Sequence, residues 1–548
     1  MIDNKLKATS YVMALIFIYN YLSSIVTDNI NRFMPAAYKV TTNGISSFVS
    51  YVSDNIWKYT LSIVGYVFIF FTLVMMFVTL ILFMSNRLNG SNLCAGISNP
   101  RVYLTILGLL LILLPLNQVG LKIPFINYVT LPVTFISMAS NPLLMIVLII
   151  LYLIFMTVVL KLRYAIYYTV VDASNIGSAL YKSWGETKFD IKFIFKSIFK
   201  LTITVMIIEL IQHFIDMLKI TAISIFTANL LMSFLTGVLY FVTTEIILLF
   251  LCKSEVSSQR HYSIFQLLVT TIVILLVGGL SVSLSGNLLD EPSTSYLVIA
   301  HQGISSKKDI PNSIQSLSKT SNTKPDFVEI DVQRTRDGQY VLSHNSTIES
   351  VTKKKYQIAD TDWKDLKKIQ IIAAGKKVYL TNFKDYLIKA NTLKQKILVE
   401  LKINSTINNH QLQNFVSKYE KSMLKNHAQI QSLNQNSLAR LNKYTDIPLG
   451  FLSPVNNSIN NSKINRFYSI EFSSLSPQTI QRAHNYHKKV YAWTVNNKNS
   501  ITTMYAYGTD GFITDTPETT RKQLKKASKN PDYSHVVWSG ILFKRANF

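Results

Sequence analysis

The hydrophobic pattern divides the 548-residue chain into two halves of different character. From Met1 to Leu289 the sequence contains apolar runs of the length that crosses a bilayer core, about 20 residues. Leu61–Met84 is the clearest, because it contains no charged residue and is too long and too apolar for a typical buried core helix. We therefore expect residues 1–289 to form an α-helical multi-span membrane domain of about seven spans: Ser10–Val26, Leu61–Met84, Val102–Gly120, Leu143–Leu160, Phe193–Leu218, Thr221–Cys252 and Ile264–Leu284.

Three apolar segments leave alternatives open. Thr221–Cys252 is long enough for one tilted span or for a broken pair of helices. Ile126–Ala139 is short and contains Pro132, which is typical of a re-entrant segment or of an ordinary buried helix. The first run resembles a cleavable signal peptide in position, but Asn20 interrupts it and no clear cleavage site follows, so we favour an uncleaved span.

Lysine and arginine in the short loops indicate the orientation of the helices, since cytoplasmic loops carry an excess of both. With seven spans, the basic loops at Lys5–Lys7, Arg87–Arg101, Lys161–Lys192 and Lys253–Arg260 all lie on the cytoplasmic side. We therefore expect a multi-pass protein of the cell membrane whose second half is extracellular. An error of one in the span count would reverse that side.

From Leu297 onward the pattern changes to short apolar strands that alternate with helical stretches. YLVIA, DFVEIDVQR, QYVLSH, ILVELK, AQIQSL, IPLGFL, FYSIEF, KVYAWTV and GFIT predict strands. Helices are expected at Asn312–Thr320, Thr381–Ala390 and Gln411–Leu424. Alternation of this kind over some 230 residues is typical of a parallel α/β fold, and its scale matches a (β/α)8 TIM barrel. We assign residues 290–525 to this domain and residues 526–548 to a basic and aromatic tail.

The composition of the chain limits the kinds of partner that the protein is expected to bind. Charged residues make up only 16% of the chain, yet the net charge is +25, and the second half alone has 37 Lys and Arg against 20 Asp and Glu. Such an excess indicates an anionic partner. A membrane surface or an anionic polymer such as teichoic acid fits, whereas no nucleic-acid-binding motif is present. Two cysteines exclude a disulfide framework and a cysteine-rich metal site.

Ionisable residues fall at the expected strand ends, where the chemistry of a TIM barrel is located. His301 follows the first expected strand, and His344 ends the third. Glu329 and Asp331 lie two residues apart on the second strand, and Glu400 and Lys402 have the same spacing on the fourth. Taken alone, Glu329 and Asp331 would more often lie on the solvent-exposed face of a strand than in a functional site. Three carboxylates at one mouth would repel each other without a cation, and oxygen ligands favour Mg²⁺ or Ca²⁺, with Mn²⁺ as an alternative.

These residues carry a family resemblance. VIAHQG, DFVEIDVQRTRDGQYVLSHN, VELK, VYAWTVNN and GTDGFITDTPE occur in the order found in the glycerophosphodiester phosphodiesterase family, a TIM-barrel family. The whole chain is similar in architecture to the membrane-anchored members of Gram-positive bacteria, which place a multi-span domain before the barrel. The resemblance covers about Val298–Pro517.

The resemblance implies a metal-dependent hydrolase that converts glycerophosphodiesters to glycerol 3-phosphate and an alcohol. A deacylated lipid headgroup, phosphatidylglycerol and lipoteichoic acid are the expected substrates. In the family a glycerol hydroxyl attacks its own phosphate and the cyclic phosphate is then hydrolysed. The implied roles are catalysis by His301 and His344, metal ligation by Glu329, Asp331 and Glu400, and substrate contact by Gln302, Lys402, Trp493 and Asn496.

Three departures from the family pattern leave other functions open. Gln302 replaces an arginine that would clamp a phosphate oxygen, Pro311 replaces a glutamate, and Asn345 replaces an aspartate. One alternative is therefore a glycerol-phosphate binding or sensing module with weakened catalysis, coupled to a lipid-handling membrane domain. Another is that the membrane half transports or flips a lipid that the barrel processes.

Overall fold

The structure of the protein is a computed structural model. It describes residues 5–33, 56–108, 160–187, 191–251 and 264–284, single positions at 150, 154, 157 and 158, and residues 286–537 apart from 287, 294, 403–406, 455–458, 460 and 531. These residues divide into two compact units. The first contains residues up to 215, 226–287 and the chain from 536, and the second contains 216–225 and 288–535.

The first unit is helical throughout its described part. Its helices are Lys5–Phe33, Ile56–Met84, Gly90–Ser98, 100–108, Ala165–Val171, Ile176–Glu186, Ile191–Asp216, Thr221–Leu251 and Ile264–Leu284. Within the described residues, three helical segments are long and apolar enough to cross a membrane, namely Ile63–Met84, Thr221–Glu245 and Leu267–Leu284. This finding supports association with a membrane.

The other predicted spans have mixed outcomes. Ser10–Val26 and Phe193–Leu218 lie largely within described helices, and Thr221–Leu251 is one continuous helix, which favours a single span over a broken pair. Ile126–Ala139 and most of Val102–Gly120 and Leu143–Leu160 lie outside the described residues. The count of seven spans therefore stays a prediction.

Two glycines allow a close approach of helices in the first unit. A Cβ atom at Gly237 would lie 2.0 Å from the carbonyl oxygen of Ile274, and one at Gly278 would lie 1.8 Å from that of Ser233. The helices Thr221–Leu251 and Ile264–Leu284 therefore touch backbone to backbone. Small residues at such crossings are typical of helix packing in a membrane, where van der Waals contact replaces the hydrophobic effect as the driving force.

The second unit contains a closed ring of eight parallel strands, the TIM barrel expected from the sequence. In chain order they are β1 (Leu297–Ala300), β2 (Phe327–Arg334), β3 (Ile397–Leu401), β4 (Gln429–Ser432), β5 (Leu449–Ser453), β6 (Asn465–Glu471), β7 (Lys489–Trp493) and β8 (Gly511–Thr514). Each strand pairs with the next, and β1 pairs with both β2 and β8, so no edge remains open.

Helices follow the barrel strands and cover the ring. The three that the sequence predicts are present as Ile314–Thr320, Phe383–Thr392 and Asn409–Asn426, and further helices are Gln435–Leu441, Pro477–Asn485, Lys498–Ala506 and Pro517–Lys529. Most begin at a side chain that accepts a hydrogen bond from the first turn; Asn408, for example, forms a reciprocal capping box with Gln411. N-terminal capping residues therefore reinforce the helices that the hydrophobic pattern predicts.

An insertion between β2 and β3 departs from the simple barrel. The strand Tyr340–Leu342 pairs antiparallel with β2 and is not part of the ring. The Arg336–Gly338 turn is too short for the crossover that a parallel strand needs. The rest of the insertion consists of the short helix Trp363–Leu366, the strand Thr381–Asn382 and two antiparallel hairpins, Thr347–Glu349 with Lys355–Gln357 and Gln370–Ala373 with Lys376–Tyr379.

Aromatic rings fill the barrel interior. Phe467 on β6 and Tyr491 on β7 stack with their ring centroids 4.7 Å apart. They join a buried cluster with Ile299, Leu398 and Ile513. Glycines on the adjacent strands make room, because a Cβ at Gly450 would lie 2.1 Å from the Phe467 ring. The interior is therefore packed, and chemistry is confined to the mouth of the barrel.

We predict that Gly450→Ala destabilises the barrel by about 1–3 kcal/mol, because the added methyl group overpacks a closed core. Thermal unfolding of the full-length protein, followed by near-ultraviolet circular dichroism, measures the loss. Gly185→Ala is the control, since a Cβ there meets no atom within 4 Å. An unchanged melting temperature in the Gly450 variant would contradict the packing described here.

Candidate active site

The predicted site residues meet at the carboxyl-terminal ends of adjacent strands. His301 directly follows β1, Glu329 and Asp331 project from β2, and Glu400 lies on β3 with Lys402 just beyond its end. The register places Asp331 beside Glu400 across the β2–β3 pair. Because side chains two apart on a strand point to the same face, both β2 carboxylates share the side that Glu400 occupies.

The three carboxylates form one buried cluster. Glu329, Asp331 and Glu400 are 2%, 1% and 8% exposed, and each offers an oxygen within 4.8 Å of the other two. Burial, reinforced by the charge of Asp331, raises the pKa of Glu329 well above its usual range. Burial and Asp331 also raise the pKa of Glu400. The surroundings therefore disfavour the negatively charged forms of Glu329 and Glu400.

Lys402 compensates part of this charge. Its Nζ lies 2.6 Å from Glu400 Oε1 and 3.0 Å from Asp331 Oδ1. The structure places Lys402 against these carboxylates, and its predicted contact with substrate stays a prediction.

The donor set fits a hard divalent cation. Three closely spaced carboxylates supply oxygen ligands alone, which is the chemistry that Mg²⁺ and Ca²⁺ prefer. A dication among them would offset the repulsion that raises the pKa of Glu329. Glu329, Asp331 and Glu400 are the residues that would hold it, as the sequence predicted; the identity of the ion remains a prediction.

Two amide side chains fix the orientation of Asp331. Asn312 Nδ2 donates to Asp331 Oδ2 at 2.9 Å, and the backbone N–H of Asp331 donates back to Asn312 Oδ1 at 3.0 Å. Gln302 donates from Nε2 to the same Oδ2 at 3.1 Å and from its backbone N–H to Glu329 Oε2 at 2.9 Å. The sequence analysis assigned no role to Asn312, which directly follows Pro311 and begins the expected helix Asn312–Thr320.

His301 is held by an acidic partner that the sequence analysis missed. Its Nδ1 lies 2.8 Å from Asp515 Oδ1, and Asn496 Nδ2 donates to Asp515 Oδ2 at 2.6 Å. The signal was available, because Asp515 lies in GTDGFITDTPE just after β8, which neighbours β1. Asn496 therefore holds the partner of His301 in place, and its expected contact with substrate stays a prediction.

The contact with Asp515 has an electrostatic consequence. Burial alone would lower the pKa of His301, but the hydrogen bond to Asp515 and the charges of Glu329 and Asp331 outweigh it and raise that pKa. Nδ1 is engaged with Asp515, so Nε2 is the ring nitrogen that can exchange a proton with a ligand.

His344 lies in an exposed loop at the same mouth. Its Nδ1 lies 3.0 Å from Asn345 Oδ1. Gln333 fixes the loop by donating from Nε2 to the carbonyl oxygens of Ser343 at 2.7 Å and Asn345 at 2.9 Å. Gln333 is a further residue that sequence reasoning missed.

Trp493 ends β7 and covers the barrel interior. Its ring packs against the buried cluster that contains Phe467 and Tyr491. Its indole Nε1 is buried and has no hydrogen-bond partner among the described residues. The predicted role of Trp493 as a wall of the substrate pocket stays a prediction.

We predict that Glu329→Gln lowers the affinity for divalent cations by at least about tenfold, because one charged ligand is lost. Terbium luminescence, with competition by Ca²⁺ and Mg²⁺, measures affinity without requiring turnover. Glu349→Gln is the control, since that exposed carboxylate pairs with Lys353 at 3.0 Å. Equal affinity in both variants would show that the cluster is not the cation site.

The second half of the chain is similar in sequence to known proteins. Residues 301–519 match the model of the glycerophosphoryl diester phosphodiesterase family. A glycerophosphodiester phosphodiesterase of Caldanaerobacter subterraneus is 27% identical over 256 residues, covering 42% of this chain and 98% of that protein. One from Bacillus subtilis is 22% identical over 295 residues, covering 49% of this chain and 99% of that protein.

Solved structures are also similar to part of this chain. An Oleispira antarctica phosphodiesterase in complex with the product sn-glycerol-3-phosphate is 18% identical with a TM-score of 0.37, covering 44% of this chain and 99% of that one. A Thermotoga maritima glycerophosphodiester phosphodiesterase is 18% identical with a TM-score of 0.34, covering 42% and 99%. On the family match and the similarity to the curated relatives, the barrel half of this chain belongs to the glycerophosphodiester phosphodiesterase family.

Proposed function

We propose that the protein is a membrane-anchored, metal-dependent phosphodiesterase that converts glycerophosphodiesters to glycerol 3-phosphate and an alcohol. The observation that carries the proposal is the buried cluster of three carboxylates beside a histidine that Asp515 orients. A buried carboxylate cluster destabilises the fold unless a counter-charge offsets it, and a divalent cation for phosphate chemistry is the counter-charge that this donor set fits.

The residues divide the work of binding and proton transfer. A divalent cation at Glu329, Asp331 and Glu400 would supply positive charge that neutralises the phosphate. Lys402 adds a fixed ammonium group next to Asp331 and Glu400. His301, raised in pKa and oriented through Nδ1, moves a proton at Nε2, and His344 serves the opposite proton transfer from its loop.

Gln302 bears on the strength of binding rather than on the chemistry. Its side-chain amide is neutral and donates to Asp331. It therefore contributes no charge to a phosphate. The alternative of a binding or sensing module draws on this neutral residue. Retention of both histidines and of the complete carboxylate cluster favours catalysis.

The substrate classes follow from a membrane location. A headgroup released from a lipid, phosphatidylglycerol and lipoteichoic acid all present glycerol phosphate at a bilayer. The three apolar helices support attachment there, and the net charge of +25 favours an anionic surface or polymer. We place the barrel outside the cell as part of the same proposal.

The test is release of glycerol 3-phosphate by the purified full-length protein, with Mg²⁺, Mn²⁺ or Ca²⁺ supplied separately. Glycerophosphoglycerol, phosphatidylglycerol and lipoteichoic acid are the substrates, and His301→Ala is the control. Cation-dependent release that the variant loses is expected. A folded protein that binds the cation but releases no more than the variant would favour the binding module.

Asp515→Asn should lower turnover on the order of tenfold and move the pH limb that belongs to His301 to lower pH. The sign follows because the Asp515 carboxylate raises the pKa of His301, and an amide removes that contribution. A pH–rate profile measures the shift. The control is Asp510→Asn, which disrupts a second histidine–aspartate pair, His484 with Asp510 at 2.8 Å, outside the site. Matching profiles for both variants would refute the assignment.

The proposed orientation predicts a difference in cysteine labelling. Thr352→Cys, at an exposed position of the barrel insertion, should react with a membrane-impermeant maleimide on intact cells. Cys94 is exposed and lies in the loop expected to be cytoplasmic, so it should react only after permeabilisation. The opposite pattern would place the barrel inside the cell.

A further inference from the structure

A groove leads away from the candidate active site into the insertion. It encloses about 490 Å³, within the range of small-molecule sites. At one end it is bounded by Gln302, Asn312 and His344, and at the other by the hairpin Gln370–Tyr379. We call it the lateral groove. It is continuous with the mouth of the barrel, so one ligand can occupy both.

The lining of the lateral groove is largely aliphatic away from the catalytic end. Ile310, Ile371, Val378 and Leu380 contribute side chains to it. At the rim, Ile372 and Tyr379 are 62% and 54% exposed, although they are large apolar residues on a domain rich in lysine. Solvent-exposed apolar side chains that border a continuous groove indicate contact with an apolar ligand.

The charges in the lateral groove disfavour a second phosphate. Glu349 is the one Asp, Glu, Lys or Arg among the described residues that line it, and it is already paired with Lys353 at 3.0 Å. An anionic polymer of glycerol phosphate units would bring its next phosphate into this space. No Lys or Arg is among the described residues that line the groove, and the nearby Lys353 ammonium is already engaged with Glu349, so the phosphate would lose its hydration with little compensation.

We infer that the lateral groove binds an acyl chain, so that the preferred substrate is a monoacyl glycerophosphodiester rather than a fully deacylated one or a polyanionic polymer. The inference rests on the proposed phosphodiesterase function and names the substrate class of that site. The phosphate lies at the carboxylates and the histidines, and one glycerol arm carries its acyl ester past His344 toward Ile372 and Tyr379.

The experiment compares acyl esters of glycerophosphoglycerol with acetyl, hexanoyl and decanoyl chains on the full-length protein in amphipol. Loss of each ester is measured by mass spectrometry. From the acetyl to the decanoyl ester, KM should fall by at least about tenfold, because each methylene leaves water on binding. In the double variant Ile372→Gln, Tyr379→Gln this dependence on chain length should weaken.

Two controls separate the groove from the chemistry. Ile388→Gln replaces an equally exposed apolar residue, 54% exposed, on the helix Phe383–Thr392 outside the groove, and should keep the dependence on chain length. Glycerophosphoglycerol, which has no acyl chain, should be hydrolysed equally by the wild type and both variants. Loss of that activity in the double variant alone would show damage to the site and overturn the assignment of these residues to a chain-binding role.

Binding keeps the inference testable if turnover is not observed. Calorimetric titration of the same esters into the His301→Ala protein should show affinity that rises with chain length and falls in the rim double variant. If glycerophosphoglycerol is hydrolysed but neither KM nor affinity depends on chain length, the groove inference is wrong and the proposed function stands. If no ester is hydrolysed but affinity follows chain length, the groove stands and the enzymatic proposal fails.

Discussion

Repulsion among three buried carboxylates is the constraint on which the site depends. Glu329, Asp331 and Glu400 come from two paired strands whose register brings their side chains to one face. Several kinds of neighbouring group stabilise the negative charge of the carboxylates: the ammonium of Lys402, the amides of Gln302 and Asn312, and the imidazole of His301. The mouth of the barrel is therefore built around negative charge that a dication would neutralise.

The barrel supplies the rigidity that this arrangement requires. Closure of β1 onto β8 brings Asp515, just after the last strand, next to His301, just after the first. Stacked rings of Phe467 and Tyr491 fill the interior below, so the strand ends cannot collapse inward. Residues far apart in sequence are thus held at hydrogen-bond distance by backbone pairing and not by flexible loops.

The sequence predicted much of this because strands and their terminal residues have local signatures. All eight barrel strands were visible as short apolar runs, and the three metal-ligand candidates followed from i, i+2 spacing and strand ends. Asn312 and Gln333 were missed, because their roles arise from pairings across 19 and 10 residues that no local pattern records. Asp515 was missed although its position just after the last strand was visible, because its pairing with His301 spans 214 residues and depends on closure of the barrel. The strand before His344 was expected as a barrel strand, and the short Arg336–Gly338 turn identifies it as a hairpin strand instead.

The insertion interrupts the chain between β2 and β3 but leaves their pairing intact over five residue pairs, from Val328 with Ile397 to Val332 with Leu401. Two of the three carboxylates lie before the interruption and the third lies after it. Replacement, lengthening or loss of the hairpins can therefore change the shape of the groove without moving the cluster. The carboxylate cluster and the groove are thus encoded in separable stretches of sequence, and His344 is the proposed catalytic residue that the insertion itself carries. Members of such a family can diverge in what they accept as long as the insertion keeps that histidine in place.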